Sequence, residues 1–411
     1  MARLRAGSPA LLRELNRSAI LSLIGQRGSI ARVEIARELA LSPATVTVLT
    51  RELVQEGVVR EVAAAPSRGG RPGVLLGLVG GAAHALGVKI APDRLTFVRV
   101  TLEGEPLGFV GRMFDATAPD AVERLLDEVA LVAEDRPSGS RLLGIGLGVP
   151  GIVDPLSGGT VESPTLGWRS LALGSRLQER LGVPVLLDND VNTLAVGERL
   201  YGRGRGVDHF LTVTIGRGVG LGIVVGGELY RGFRGGAGEF GHVRVADGGT
   251  RCHCGGTGCL ETVVSDQALV RAGREAGILG GDEGIEFLYA SAAAGDASAL
   301  AVFKAAGAAL GHAVAGLVNV LSPQVVLVSG EGTRGWAFLQ TGFESALRPD
   351  LFGPLEDVTV EVDPWDDRKW AQGAAALVLR ATFSAPIYER QQDDDVRARL
   401  GTVPPAGEGV A

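Results

Sequence analysis

Only three cysteines occur in 411 residues, an odd number confined to one short segment as Cys252, Cys254 and Cys259. None is left over for a disulfide framework, which excludes the stapled secreted class and points to a reducing, cytoplasmic compartment. No run of about 18 apolar residues is present, so a membrane span is not expected. The start, Met1 to Arg5, carries charge but no apolar stretch leading to a small-residue cleavage site, so no secretory signal is expected. Repeats of solenoid period are also missing. What is there, 45% apolar and 21% charged residues, is ordinary for a globular chain with room for two or three domains.

Charge is unevenly placed. Residues 1 to 73 hold eleven arginines and six glutamates, a balance of +5 inside a total of -7. A basic head on an acidic body suits a DNA-binding domain fused to a small-molecule domain, although a solvated basic face would give the same count. Apolar positions Leu11, Leu12, Leu15, Ile20, Leu21, Leu23 and Ile24 predict a first helix ending near Gly28. Ile35, Ala36 and Leu39 mark a short second one. Ser42 as N-cap and Pro43 in the first turn open a third over residues 43 to 56, with Val46, Leu49 and Leu53 facing inward.

That pattern is a helix-turn-helix. Its outward residues Ala44, Thr45, Thr47, Val48 and Arg51 are short enough to enter a major groove, with one arginine to reach guanine or phosphate. Ser42 and the helix N-terminus suit a phosphate. Two strands, 58 to 62 and 74 to 78, flank a Gly- and Pro-rich loop carrying Arg68 and Arg71, a wing fit for a minor groove. A winged helix can also dock protein, but the arginine-tipped loop favours DNA.

The cysteine segment reads Cys252-His253-Cys254-Gly255-Gly256-Thr257-Gly258-Cys259-Leu260-Glu261, with His242 ten residues before Cys252. One imidazole and three thiolates lie within reach of a single tetrahedral ion, so His242, Cys252, Cys254 and Cys259 are expected to hold a structural Zn2+ with no open position. In an extended Cys-His-Cys run His253 would face away. The competing reading is a glycine-rich turn with incidental cysteines.

Glu239-Phe240-Gly241-His242 followed by this loop resembles the signature of the ROK family of sugar-sensing repressors and sugar kinases. Val149-Pro150-Gly151, the stretch from Ser163 to Trp168, Asp188-Asn189-Asp190-Val191-Asn192 and the glycine run from Gly216 to Gly227 follow in the family's order, so the resemblance covers residues from about 10 to 380. The resemblance implies a two-lobed actin-like, ribonuclease-H-like domain over 82–383, behind the winged helix-turn-helix of residues 1–81, in an α/β protein; residues 384–411, rich in Asp, Arg, Gln, Pro and Gly with little periodic apolar content, read as a disordered tail. Periodicity alone supports only α/β, with strands at 85 to 90, 95 to 100 and 143 to 149, a helix at 119 to 134, and a second lobe from about 189. That lobe is expected to include strands at 210 to 215 and 221 to 225, a helical stretch at 295 to 321, and a strand at 325 to 328.

The resemblance also implies site residues. Asn189 and Asp190 match the family's sugar-hydroxyl pair, in which the aspartate of the kinases is the general base, and Glu239, His242 and Glu261 match the other sugar contacts. An ordinary Asx turn would equally explain Asn189-Asp190 alone. Trp168 is read as core. Family kinases end their first strand in Asp-x-Gly-Gly-Thr, whereas the stretch here is Lys89-Ile90-Ala91-Pro92-Asp93. Proline has no amide hydrogen and the required glycines are missing, so ATP binding is expected to be compromised. The segment from Gly216 to Gly222 is closer to a second phosphate loop, though tight strand packing also selects such glycines. Ser329-Gly330-Glu331-Gly332 matches the adenosine loop in part. The expectation is a non-enzymatic, sugar-responsive repressor with operator DNA, a sugar and a second copy as partners; the alternative is an ATP-dependent sugar kinase with a DNA-binding head.

Overall fold

The computed structural model describes residues 8–64, 74–135, 137–154, 157–384 and 391–401. Arg68 and Arg71, at the expected wing tip, lie outside them. The head opens with α1 (Pro9–Arg27), whose N-cap Ser8 accepts the Leu11 N–H at 3.1 Å. Strand β1 (Ser29–Ala31), α2 (Arg32–Glu38), α3 (Pro43–Gln55), β2 (Val59–Ala64) and β3 (Val74–Leu78) follow. Sheet order is β1-β3-β2, antiparallel throughout. β1 was not foreseen, because three residues carry too short an alternation to be read. Ile20, Ile24, Ile35, Val46 and Leu53 are fully buried, on the faces that periodicity assigned inward.

Two compact units divide the chain, residues up to Tyr201 together with those from Arg368, and residues 202–367. In the first, β4 (Ala83–Ile90), β5 (Arg94–Thr101), β6 (Pro106–Met113), α4 (Ala121–Glu134), β7 (Arg141–Val149), a small sheet of β8 (Ile152–Asp154), β9 (Thr160–Ser163) and β10 (Trp168–Ala172), α5 (Leu173–Leu181), β11 (Val185–Asn189) and α6 (Asp190–Tyr201) precede the unit boundary. Its main sheet runs β6-β5-β4-β7-β11, the first three strands antiparallel and the last two parallel to β4. Trp168 is buried beside Leu166 and Val161 in the sheet's core, as read.

The second unit contains β12 (Phe210–Ile215), β13 (Val219–Val225), β14 (Glu228–Leu229), α7 (Glu261–Val264), α8 (Asp266–Glu275), α9 (Ile285–Ala293), α10 (Ala297–Leu321), β15 (Val325–Ser329), α11 (Trp336–Leu347) and β16 (Thr359–Val362). Its sheet order, β14-β13-β12-β15-β16, repeats that of the first unit, three antiparallel strands and then two parallel ones. α10 is long and apolar enough by composition to cross a membrane. Here its Phe303, Leu310, Val314 and Val318 are buried in the unit's core.

Beyond the boundary, α12 (Asp367–Phe383) and α13 (Gln391–Gly401) return to the first unit. α12 lies against the glycines of β4 and β7: a Cβ on Gly146 would stand 1.8 Å from the Ala374 carbonyl oxygen. The alternating glycines of strand 143–149 are thus a seat for a helix.

Two expectations are corrected. α6 belongs to the first unit, so the second begins after Tyr201 and not near Asn189; Gly197 and Gly373 let α6 and α12 approach backbone to backbone. Residues 391–401 form a helix where a disordered tail was expected, because Val396 and Leu400 bury themselves in the same core as Leu143 and Leu379. Arg399 donates to the Leu142 carbonyl at 3.0 Å, and Arg141 to that of Arg399 at 3.0 Å. That core also contains Ile20, Leu76 and Leu78 of the head, so packing runs on across the change of pattern near residue 82.

Candidate functional site

In the second unit, the chain after β13 turns through Phe240–His242 and then folds the cysteine segment back on itself. Isolated bridges join Arg244 to Cys259 and Arg251 to Thr257, and the Cys252 N–H donates to the Gly256 carbonyl at 2.8 Å. Gly258 makes the closure possible: its φ is 71°, and a Cβ would lie 2.1 Å from the Ala246 carbonyl oxygen. The Cys-His-Cys run is therefore a turn and not the extended strand assumed from sequence.

The turn nonetheless brings the expected ligands together. Ligand atoms of His242, Cys252, Cys254 and Cys259 all lie within 4.8 Å of one another. Cys254 and Cys259 Sγ are 3.7 Å apart, and Cys252 Sγ is 3.5 Å from His242 Nδ1. A tetrahedral ion with bonds of about 2.3 Å to sulfur and about 2.0 Å to nitrogen has S···S edges of roughly 3.8 Å and S···N edges of roughly 3.5 Å. The donor set fits such an ion in type and spacing. Without one, burial pushes the Cys252 thiol up, and burial with hydrogen bonding to its neighbours pushes Cys259 up to about 12. The Gly256 amide holds Cys254 below the usual thiol range.

His242 uses Nδ1 on this side, and its Nε2 lies 3.7 Å from the Glu239 carboxylate. His253 turns instead to Glu261, Nε2 to Oε1 at 3.0 Å, and its ring meets that of His242 edge-on at 4.8 Å. The other Glu261 oxygen accepts the Val219 N–H at 3.2 Å. His242, Cys252, His253 and Glu261 make a second possible donor set, which shares two members with the first. His253, expected from sequence to face away, keeps a ring nitrogen within 4.8 Å of the Cys252 sulfur, and its Glu261 partner was not foreseen.

In the first unit, Asn189 ends β11 and Asp190 opens α6. Asn189 Oδ1 accepts the N–H groups of Val191 at 2.8 Å and Asn192 at 3.3 Å, while Nδ2 donates to the Gly151 carbonyl at 2.9 Å. This is the Asx geometry weighed from sequence, and it fixes the start of the helix. Asp188 is buried and accepts from the Asn192 amide at 2.8 Å. Asp190 accepts the Val191 N–H at 2.9 Å through Oδ1 and forms an ion pair with Lys89 through Oδ2. Nothing in the sequence reading singled out Lys89 as that partner.

A sequence model described as the ROK family matches residues 86–381, and one described as winged helix-turn-helix DNA-binding matches residues 13–60. The chain belongs to the ROK family. Over 399 residues it is 32% identical to a putative xylose repressor of Caldicellulosiruptor sp. (strain Rt8B.4), spanning 93% of this chain and 100% of that one. A crystal structure of a ROK family transcriptional regulator, homolog of the E. coli MLC protein, superposes with TM-score 0.81 at 29% identity, covering 95% of this chain and 99% of that one. A ROK family glucokinase from Streptomyces griseus, solved with glucose and AMPPNP, gives TM-score 0.62 at 28% identity over 72% of this chain and 99% of its own. The ROK domain has the actin-like sugar-kinase fold, behind a winged helix-turn-helix.

In that head, α3 exposes Ala44, Thr47, Val48 and Arg51, while Thr45 is half-buried. Ser42 caps α3, accepting the Thr45 N–H at 3.1 Å, and Thr47 donates to the Pro43 carbonyl at 2.7 Å. Arg32, not singled out from sequence, braces the base of α3 by donating to Thr50 at 3.0 Å and Glu61 at 2.9 Å.

Proposed function

We propose that this ROK protein is a sugar-responsive transcriptional repressor of carbohydrate uptake or catabolism genes, released from its operator when a sugar binds the ROK domain. The observation that carries the reading is the match to a protein named as a putative xylose repressor over 93% of this chain and all of the other. On DNA, α3 enters the major groove with Ala44, Thr45, Thr47, Val48 and Arg51, Ser42 and the helix N-terminus meet a phosphate, and Arg68 and Arg71 of the wing reach the adjacent minor groove. A homodimer or higher assembly in the cytoplasm would present two heads to inverted half-sites about one helical turn apart or a multiple of it.

Asn189, Asp190, Glu239, His242 and Glu261 are the sugar contacts in this reading. A carboxylate accepts a hydroxyl hydrogen, and His242 Nε2 is left to donate while Nδ1 points at the thiols. Zn2+, held by His242, Cys252, Cys254 and Cys259, would cross-link the loop and fix the tautomer of that ring. Sugar must bind the two states of the protein unequally to act, and a coupling of about 1 to 3 kcal/mol is typical.

Sensing is favoured over phosphorylation by the hairpin between β4 and β5. Its Pro92 and Asp93 carbonyls accept from Ala116 at 2.9 Å and Phe114 at 3.1 Å, and proline supplies no amide for a phosphate. The test is binding of the zinc-loaded protein to DNA from upstream of its own and neighbouring genes, at one salt concentration, with and without a sugar panel. Protection of an inverted repeat that one sugar abolishes supports the reading. Specific binding indifferent to every sugar overturns it, and ADP release coupled to a sugar would establish the kinase instead.

A further inference from the structure

Lys89 stands on β4 in register with Gly148 of β7. Gly148 has no side chain where a Cβ would lie 2.8 Å from Thr193 Oγ1 and 3.5 Å from Asp190 Cα, so the first turn of α6 rests directly on β7 beside the lysine. The ammonium pairs with Asp190 Oδ2 and sits 4.7 Å from the centroid of the buried Trp370 ring. Side-chain exposures of 14% for Lys89 and 13% for Asp190 leave the pair nearly withdrawn from water. Desolvating two charges costs more than a surface pair gains, so a pair in this position is weak evidence of a stabilising strut. It is better suited to a polar task.

We propose that Lys89 is a sugar-positioning residue that reads a vicinal diol of a neutral sugar together with Asp190. This rests on the reading that Asp190 receives a sugar hydroxyl. The backbone N–H of Val191 and the ammonium hold the two carboxylate oxygens, so the carboxylate is aimed before any ligand arrives. An ammonium has three donors, and one engages Asp190. Asp190 accepts the hydrogen of one hydroxyl and Lys89 donates to the oxygen of its neighbour. The face of Trp370 holds the charge in place through cation–π attraction and restricts the lysine's rotamers.

The experiment measures Kd by calorimetry for D-xylose, D-glucose and N-acetyl-D-glucosamine, and for the mono-deoxy forms of whichever binds, with the full-length zinc-loaded protein and its Lys89→Met and Lys89→Arg variants. Operator binding without sugar checks that each variant is folded. Lys89→Met is expected to weaken sugar binding about tenfold or more, as for loss of a charged hydrogen bond. Lys89→Arg is expected to restore part of it. One mono-deoxy sugar that costs the wild type about tenfold should cost Lys89→Met little, because the two changes remove the same contact. Wild-type affinity in Lys89→Met, or deoxy penalties that simply add to it, would overturn the inference while leaving the sugar reading intact. A wild-type protein that binds no sugar overturns both.

Discussion

At the scale of single residues, Asp266 shows how burial works against a charge. It opens α8, and its Oδ1 is buried without a hydrogen-bond partner among the described residues. Burial, with repulsion from Glu331, pushes its carboxyl up to about 6. Between the unfolded value near 4 and that folded value, the native state keeps a proton that the unfolded chain has lost, so the contribution of Asp266 to stability is fully present below about pH 4 and is lost as pH rises through 6. Asp266→Asn is therefore expected to raise stability at pH 7 by on the order of 1 to 2 kcal/mol, allowing for partial solvent screening, and to flatten the decline of Tm between pH 4 and 7. A Tm profile of the variant parallel to wild type would refute this. On the proposed zinc site, Cys252→Ala is expected to abolish metal binding. Cobalt-substituted wild type should show thiolate charge-transfer bands that the variant lacks. Sequence spacing sufficed to foresee that His242, Cys252, Cys254 and Cys259 would come together, and the fold brings their donor atoms within 4.8 Å of one another. Spacing could not find the Lys89–Asp190 pair, whose members are separated by 101 positions and meet only through strand register.

At the scale of elements, the close seating of α12 on β4 and β7 sets the tolerance of the first unit. Gly146→Ala would drive a Cβ into the Ala374 carbonyl at 1.8 Å, a backbone contact that no rotamer change can relieve. The expected cost is about 3 kcal/mol or more, seen as a shift in the denaturation midpoint; an unshifted midpoint would show that α12 moves freely. α13 escaped sequence reading because Val396 and Leu400 are the two large apolar side chains of a stretch otherwise made of charged, polar and small residues. That pair is too little for a periodic signal, yet it is enough once a core is present to receive it. Ending the chain before residue 391 is expected to cost about 2 to 5 kcal/mol through loss of two buried aliphatic side chains, read as a lower Tm.

At the scale of the whole molecule, the head and the first lobe share one apolar cluster, in which Ile20, Leu76 and Leu78 join Ala83, Val98 and Leu379. Cooperative unfolding follows from shared burial. Differential scanning calorimetry is expected to show the head melting with the first lobe, and a separate low-temperature transition for the head would contradict this. The cysteine loop, in contrast, lies in the second unit. Chelation is expected to abolish the sugar response while leaving operator binding in place, which footprinting with and without chelator measures. The repeated strand order of the two sheets emerged only from the tertiary structure. Residues facing opposite sides of two glycine-rich sheets share no pattern that a single chain reveals.

Local chemistry determined from sequence alone what neighbours in the chain can dictate: the helix-turn-helix with its Ser42 cap and inward stripe, and the clustering of His242 with the three cysteines of one loop. Motif order added the family. Tertiary structure decided what depends on distant partners: that α6 belongs with the first unit, that residues 391–401 are helical, that His253 serves Glu261, and that Asp190 is held by Lys89. The physical reason is the range of the forces involved. Caps, turns and periodic burial act over a few residues, whereas an ion pair, a helix seat on glycine or a docked tail exists only after segments far apart in sequence have been packed against each other.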